Sequence, residues 1–162
     1  MIPTLDLLRR LARTRAEFVL VGGMAGVVHG SSMVTRDLDV CARPTPENVA
    51  RLLDGLRTLN PRDGRTEAAP PLQRTARDLA ESEDFSIWTD AGRLDVIWDV
   101  PGVGAWPQAL AAAESIDLGE GDTCLVLGLD ALIASKRALG RTRDVLAVDE
   151  LQEIRRRLRG ER

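Results

Sequence analysis

A chain of 162 residues with a formal net charge of −3, 44% hydrophobic and 29% charged, has room for one core and little for two. No apolar run approaches the roughly 20 residues needed to cross a bilayer. The mildly acidic balance excludes broad charge-driven nucleic-acid binding, so such a partner would need a local basic patch.

The first 18 residues, "MIPTLDLLRRLARTRAEF", read as an amphipathic helix, with Leu5, Leu8, Leu11 and Ala12 at helical spacing and arginines on the polar face. They lack the continuous apolar core and small-residue cleavage site of a signal peptide, so a cytoplasmic location is expected. The aromatic and β-branched run "EFVLVG" suits a short buried strand. Gly22 and Gly23 punctuate it, "MAGVVHG" is long enough for about two helical turns, and Gly30 is a good left-handed stop. "RDLDVCA" alternates and reads as a second strand. A helix follows from Pro46 to about Leu59, with Val49, Leu52, Leu53 and Leu56 on one face and Thr45 as its N-cap.

Residues 60 to 83 carry three of the eight prolines, many charges and little periodicity, and read as a long loop with room for one short element. "DFSIWTDAGRLDVIWDVPG" reads as a hairpin turning at Asp90-Ala91-Gly92. An alanine-rich helix near 105 to 114, a short strand "TCLVLG", and helices at about 129 to 139 and 142 to 159 complete the chain. The expected fold is a single α/β (α+β) domain over 1–162, a mixed sheet with helices packed on it. Its core spans about 16–127 and its C-terminal helical part about 128–162. Cys41 and Cys124 stand in no metal-ligand or disulfide pattern and read as buried thiols.

Chemistry concentrates in two places. Strand alternation puts Asp37 and Asp39 on one face, with Leu38 and Val40 on the other. Their α-carbons would be about 6.6 Å apart, near enough for both carboxylates to reach one hard cation such as magnesium. Two carboxylates at that range repel, and either a metal or a raised pKa on one of them offsets the repulsion. Gly22 and Gly23 are side-chain-free residues at a strand-to-helix turn, where backbone amides can approach a phosphate. Their plainer reading is a tight turn. Downstream, "GRLDVIWDV" offers Asp95 and Asp99. Asp95 is the better third carboxylate, because Asp99 lies beside Pro101-Gly102, where the strand should end. Such a residue could act as general base towards an attacking hydroxyl.

A glycine pair, thirteen intervening residues, Asp37-Leu38-Asp39-Val40 and a later "RLDV" together resemble the nucleotidyltransferase superfamily of the DNA polymerase β-like type. More narrowly, "VGGMAGVVHG", "TRDLDV" and "LDALIASKRALGRTRDVLAV" resemble AbiEii-type nucleotidyltransferases, many of which belong to toxin-antitoxin or phage-defence systems. The resemblance covers nearly the whole chain. It implies the nucleotidyltransferase fold, Gly22 and Gly23 at the triphosphate, Asp37 and Asp39 on Mg2+, and Asp95 as the third carboxylate. It also implies transfer of a nucleoside monophosphate from an NTP to an acceptor, with tRNA or a partner protein favoured. One departure stands out: Met33 occupies the stretch where relatives often carry a basic residue, and Arg36 is the nearest cation.

Weaker candidates remain. His29, at the end of the short helix, is a phosphate contact or a packed cap. Thr35 shares parity with the aspartates but is also an ordinary strand residue. Lys136 could neutralise triphosphate charge or sit on a solvated helix face, and Arg141 and Arg143 favour the latter. The tail "LQEIRRRLRGER" could dock RNA phosphates, although a charge run is more often a solvated face. The competing functional readings are a non-catalytic nucleotidyltransferase-like module or antitoxin, an antibiotic nucleotidyltransferase, and an RNA-binding protein without activity.

Overall fold

A computed structural model describes residues 3–160; Met1 and Ile2 of the stretch expected as the first helix, and Glu161 and Arg162 of the basic stretch, lie outside the described residues. The chain opens with α1 (Pro3–Arg13), β1 (Phe18–Val21) and α2 (Gly22–Val28), followed by β2 (Asp37–Ala42) and α3 (Pro46–Leu56). Next come β3 (Arg62–Asp63), α4 (Ala76–Ala80), β4 (Phe85–Thr89), β5 (Gly92–Ile97), β6 (Asp99–Val100) and β7 (Gly104–Ala105). It closes with α5 (Trp106–Ala111), β8 (Ala113–Gly119), β9 (Asp122–Leu127), α6 (Leu129–Leu139) and α7 (Thr142–Leu158). The seven-stranded sheet runs β3-β4-β5-β2-β1-β9-β8, with β2 parallel to β5 and β1 parallel to β9 between antiparallel neighbours. This is the expected mixed sheet of an α/β fold.

Burial explains the order. All four residues of central β1 are buried, as a strand covered on both faces requires. One face is closed by Leu7, Leu8 and Leu11 of α1 and by Leu52 and Leu56 of α3, all of them almost fully buried. Those side chains recur at i, i+3 and i+4, so a single stripe on each helix faces the sheet. Thr45 caps α3 by accepting from the Asn48 backbone N–H at 3.2 Å, and Pro46 takes the first helical position. Asn48 itself is buried. Its side chain accepts from Glu17 N at 2.6 Å and donates to Glu17 O at 2.8 Å and Arg43 O at 3.0 Å, tying α3 to the entrance of β1.

The structure corrects several boundaries. The helix expected over 105 to 114 ends at Ala111, and Ala113–Gly119 turns back as β8 against β9. Gly119, Glu120 and Gly121 all have positive φ, which closes this hairpin. Residues 60 to 83 hold two short elements, β3 and α4, rather than one. Arg74 clasps Asp63 with bonds of 2.7 and 2.6 Å, and Thr75 and Asp78 form a capping box on α4. The 84–102 hairpin is present, but Thr89 pairs with Gly92, so its turn is Asp90-Ala91. The helix at Pro46 ends at Leu56, three residues earlier than expected. Both cysteines are buried free thiols, each pushed up to about 11 by burial first, with Asp99 and Asp84 adding to the effect on Cys41. Among the described residues no helix is long and apolar enough to cross a membrane.

Candidate functional site

Strand alternation and register build the site. Leu38 and Val40 are fully buried, so Asp37 and Asp39 face the other side of the sheet. The parallel β2–β5 pairing sets Asp39 opposite Asp95 and Asp37 opposite Arg93. Leu94 and Val96 are buried under β5, which turns Arg93 and Asp95 to the face that carries the aspartates. The antiparallel β1–β2 pairing places Val21 opposite Asp39 and therefore Gly22 beside it. Asp37, Asp39 and Asp95 thus share one face of the sheet near the exit of β1, while Asp99 lies beyond β5, exposed beside buried Val100 and farther along the same cleft.

Gly22 answers to Asp39 directly. The glycine has φ +67°, and a β-carbon on it would lie 2.4 Å from Asp39 Oδ2. The position needs both the left-handed backbone and the missing side chain. Gly23 presses on Thr35, whose β-carbon and hydroxyl would each lie 3.1 Å from an added methyl. Both glycines form the first turn of α2 rather than a loop before it.

Like charges directly opposite one another destabilise a sheet, and the neighbouring groups show how the repulsion is met. Arg93 bridges two of the carboxylates, donating from its terminal guanidinium nitrogen to Asp37 Oδ2 at 2.7 Å and from Nε to Asp95 Oδ2 at 3.0 Å. Ser86, opposite Asp95 on β4, donates its hydroxyl to Asp95 Oδ1. Asp39 is left with a raised pKa of about 6, caused first by burial and then by repulsion from Asp95 and Asp37, against the pull of Lys136 and Arg93.

The opposite wall comes from the C-terminal helices. Gly140, left-handed at φ 64°, ends α6 and turns the chain into α7. Asp144 is buried at 1% exposure, accepting from Arg141 Nε at 2.6 Å and lying 3.7 Å from Lys136 Nζ. Lys136 is 12% exposed, not on a solvated face, and its pKa is lowered, chiefly by burial. Asp39 and Asp144 act against that shift. A third wall is the 31–36 segment, held to α7 by Glu150, which accepts from Ser31 Oγ, Ser32 N and Ser32 Oγ, each at 2.7 Å. Met33 lines the cleft from this segment, while Arg36 is exposed. The walls enclose a cleft of about 760 Å³ that includes the glycine pair, the three aspartates, Lys136, Arg141 and Arg143.

Two candidates lie elsewhere. His29 Nε2 is 2.8 Å from the Leu127 carbonyl and Nδ1 is 3.9 Å from Glu114, so the ring packs against β9 and does not line the cleft. The basic tail is largely paired within the molecule: Arg155 and Arg159 bind Asp130, and Arg156 and Arg157 bind Glu153. A second cavity of about 270 Å³, lined among others by Glu17, Phe18, Trp106, Ser115 and Cys124, is of mixed polarity and shares no lining residue with the acidic cleft.

Sequence reasoning missed Arg93, Ser86 and Glu150. Arg93 was legible, because it shares parity with Asp95 on an alternating strand. Ser86 required the hairpin register, and Glu150 lies 118 and 119 residues from its partners, with no local signal. For a cation the donor set is chemically apt, being all carboxylate, which suits a hard divalent ion, and Arg93 leaves the charge on Asp39 incompletely balanced. Among the described residues no three Asp, Glu, His or Cys side chains already stand as a metal cage; Arg93 holds two of the relevant oxygens. No protein-family model matches the chain, and no curated protein matches it.

Proposed function

We propose that this protein is a magnesium-dependent nucleotidyltransferase, transferring a nucleoside monophosphate from an NTP to an acceptor hydroxyl. The observation that carries the reading is the pairing of Asp39 with Asp95 on adjacent parallel strands, beside a glycine that accommodates Asp39 and inside a cleft walled by Lys136, Arg141 and Arg143. Magnesium, held by Asp37, Asp39 and Asp95, would supply charge neutralisation at the triphosphate and the leaving pyrophosphate.

The chain's own residues do the rest. The side-chain space at Gly22 is taken by Asp39 and that at Gly23 by Thr35, so the pair would meet phosphate through backbone N–H groups at the start of α2, and Lys136 offers a point charge to it. The acceptor oxygen forms a bond to the α-phosphorus as the bond from that phosphorus to the departing pyrophosphate breaks. The hydroxyl proton passes to Asp95, the general base. On the resemblance of its motifs, the protein serves a toxin-antitoxin or defence system and acts on tRNA or a partner protein, with antibiotic modification as the alternative acceptor class.

The test is transfer of label from each α-labelled NTP, with magnesium, into total tRNA, lysate protein and an aminoglycoside panel. An Asp37→Ala/Asp39→Ala double variant is the control. Label entering one acceptor class with the unmutated chain alone supports the reading; no transfer to any class rejects it. A second reading, a non-catalytic nucleotide-binding module acting as an antitoxin, draws on Arg93, whose ion pairs already engage both Asp37 and Asp95. It predicts NTP binding undiminished in the double variant.

A further inference from the structure

Among the described residues Arg93 is the one cation bonded to two of the three carboxylates, and its contacts are well placed for more than sheet stability. Register sets it beside Asp37 across the β2–β5 pair, and strand periodicity sets it on the same face as Asp95 two residues away. A guanidinium is a rigid fork that presents several donors in one plane, so it can bind both carboxylates at once. The side chain is only 18% exposed, and its bonds to Asp37 Oδ2 and Asp95 Oδ2 are 2.7 and 3.0 Å. Asp39, at the centre of the trio, receives no hydrogen bond from it.

We infer that Arg93 is a resident counter-ion that competes with the divalent cation for Asp37 and Asp95 and moves to the phosphates of an incoming nucleotide. This rests on the reading of the acidic cluster as a magnesium site. A cation entering alone must displace a charge-assisted fork from the oxygens it needs. A cation entering with a nucleotide faces less opposition, because the phosphates offer the guanidinium new acceptors in place of the carboxylates. Cation and nucleotide therefore bind cooperatively, and by linkage each strengthens the other's affinity by the same factor. Arg93 is a positioning residue in this scheme. Before the nucleotide arrives it also keeps Asp37 and Asp95 from repelling one another.

The test is Mn2+ binding, followed by the loss of the free-ion electron paramagnetic resonance signal, with and without an α,β-methylene NTP that cannot be cleaved. Wild type is compared with Arg93→Gln and Arg93→Lys, each checked for folding by circular dichroism. Arg93→Gln is expected to bind Mn2+ alone about fivefold or more tighter than wild type, and to lose most of the enhancement by the analogue. Arg93→Lys, which keeps the charge but not the fork, should fall between them and serves if the glutamine variant does not fold. In thermal melts Mn2+ should raise the midpoint of the glutamine variant more than that of wild type. Equal or weaker Mn2+ binding by both variants, with wild type binding measurably, overturns the competition while leaving the metal site intact. No Mn2+ binding by any of the proteins, with or without analogue, removes the metal site and the competition together.

Discussion

The charge on Asp39 is held at a cost in folding stability, and replacing it with asparagine should reveal that cost. Burial and the neighbouring Asp95 and Asp37 hold the carboxyl at about 6 against an ordinary 3.8, so between those values the folded chain keeps a proton that the unfolded chain releases. Stability is therefore lost as pH rises through that window, and the full penalty stands above about pH 6. At about 1.36 kcal/mol for each tenfold change, the difference amounts to about 3 kcal/mol at pH 7.5 and about 0.6 kcal/mol at pH 4. Asparagine keeps the shape that fits against Gly22 and carries no charge. Asp39→Asn should therefore raise the unfolding free energy by up to about 3 kcal/mol at pH 7.5 in metal-free buffer, and by well under 1 kcal/mol at pH 4. Urea unfolding with linear extrapolation at the two pH values measures the gain directly. Added magnesium should stabilise wild type at pH 7.5 and leave the variant almost unchanged. A gain of the same size at both pH values, or a loss at pH 7.5, would refute the electrostatic account of this carboxylate.

Two further substitutions probe the surrounding frame. Gly22→Ala sets a β-carbon 2.4 Å from Asp39 Oδ2 on a backbone at φ +67°, so it should cost about 1–3 kcal/mol in chemical denaturation. By displacing Asp39 it should also abolish the proposed nucleotidyl transfer, and retention of full transfer would contradict the packing argument. Asp144→Asn leaves Arg141 and Lys136 without the buried carboxylate they share and should cost about 3 kcal/mol at neutral pH. Burial, the largest influence, works to raise the Asp144 pKa, but the Arg141 hydrogen bond and the charges of Arg141 and Lys136 bring it below the ordinary value. Its stabilisation is thus present above the usual carboxylate range and lost as pH falls through the lowered pKa. The effect of the substitution should shrink in acid, as thermal melts across pH would show.

What the sequence determined was everything carried by local periodicity. Alternation put Asp37 and Asp39 on one face and Leu38 and Val40 beneath them, the i, i+3, i+4 leucines fixed which sides of α1 and α3 face the sheet, and Thr45-Pro46 marked where α3 starts. The last two helices were legible almost to the residue, because Gly140 separates two helical patterns. The tertiary structure alone decided what depends on which strands pair and in what register. Pairing of β2 with β5 set Asp95, already preferred to Asp99 on sequence, directly opposite Asp39, and brought Arg93 to Asp37. The β8–β9 hairpin claimed residues whose alanine-rich start favoured helix, because the 119–121 turn and strand pairing outweigh a propensity of a few tenths of a kcal/mol per residue. His29 was drawn to a backbone carbonyl on β9, and Lys136 was buried beside Asp144. The first outcome follows from packing between segments 98 residues apart and the second from the packing of α6 on α7, neither of which leaves a local pattern in the sequence.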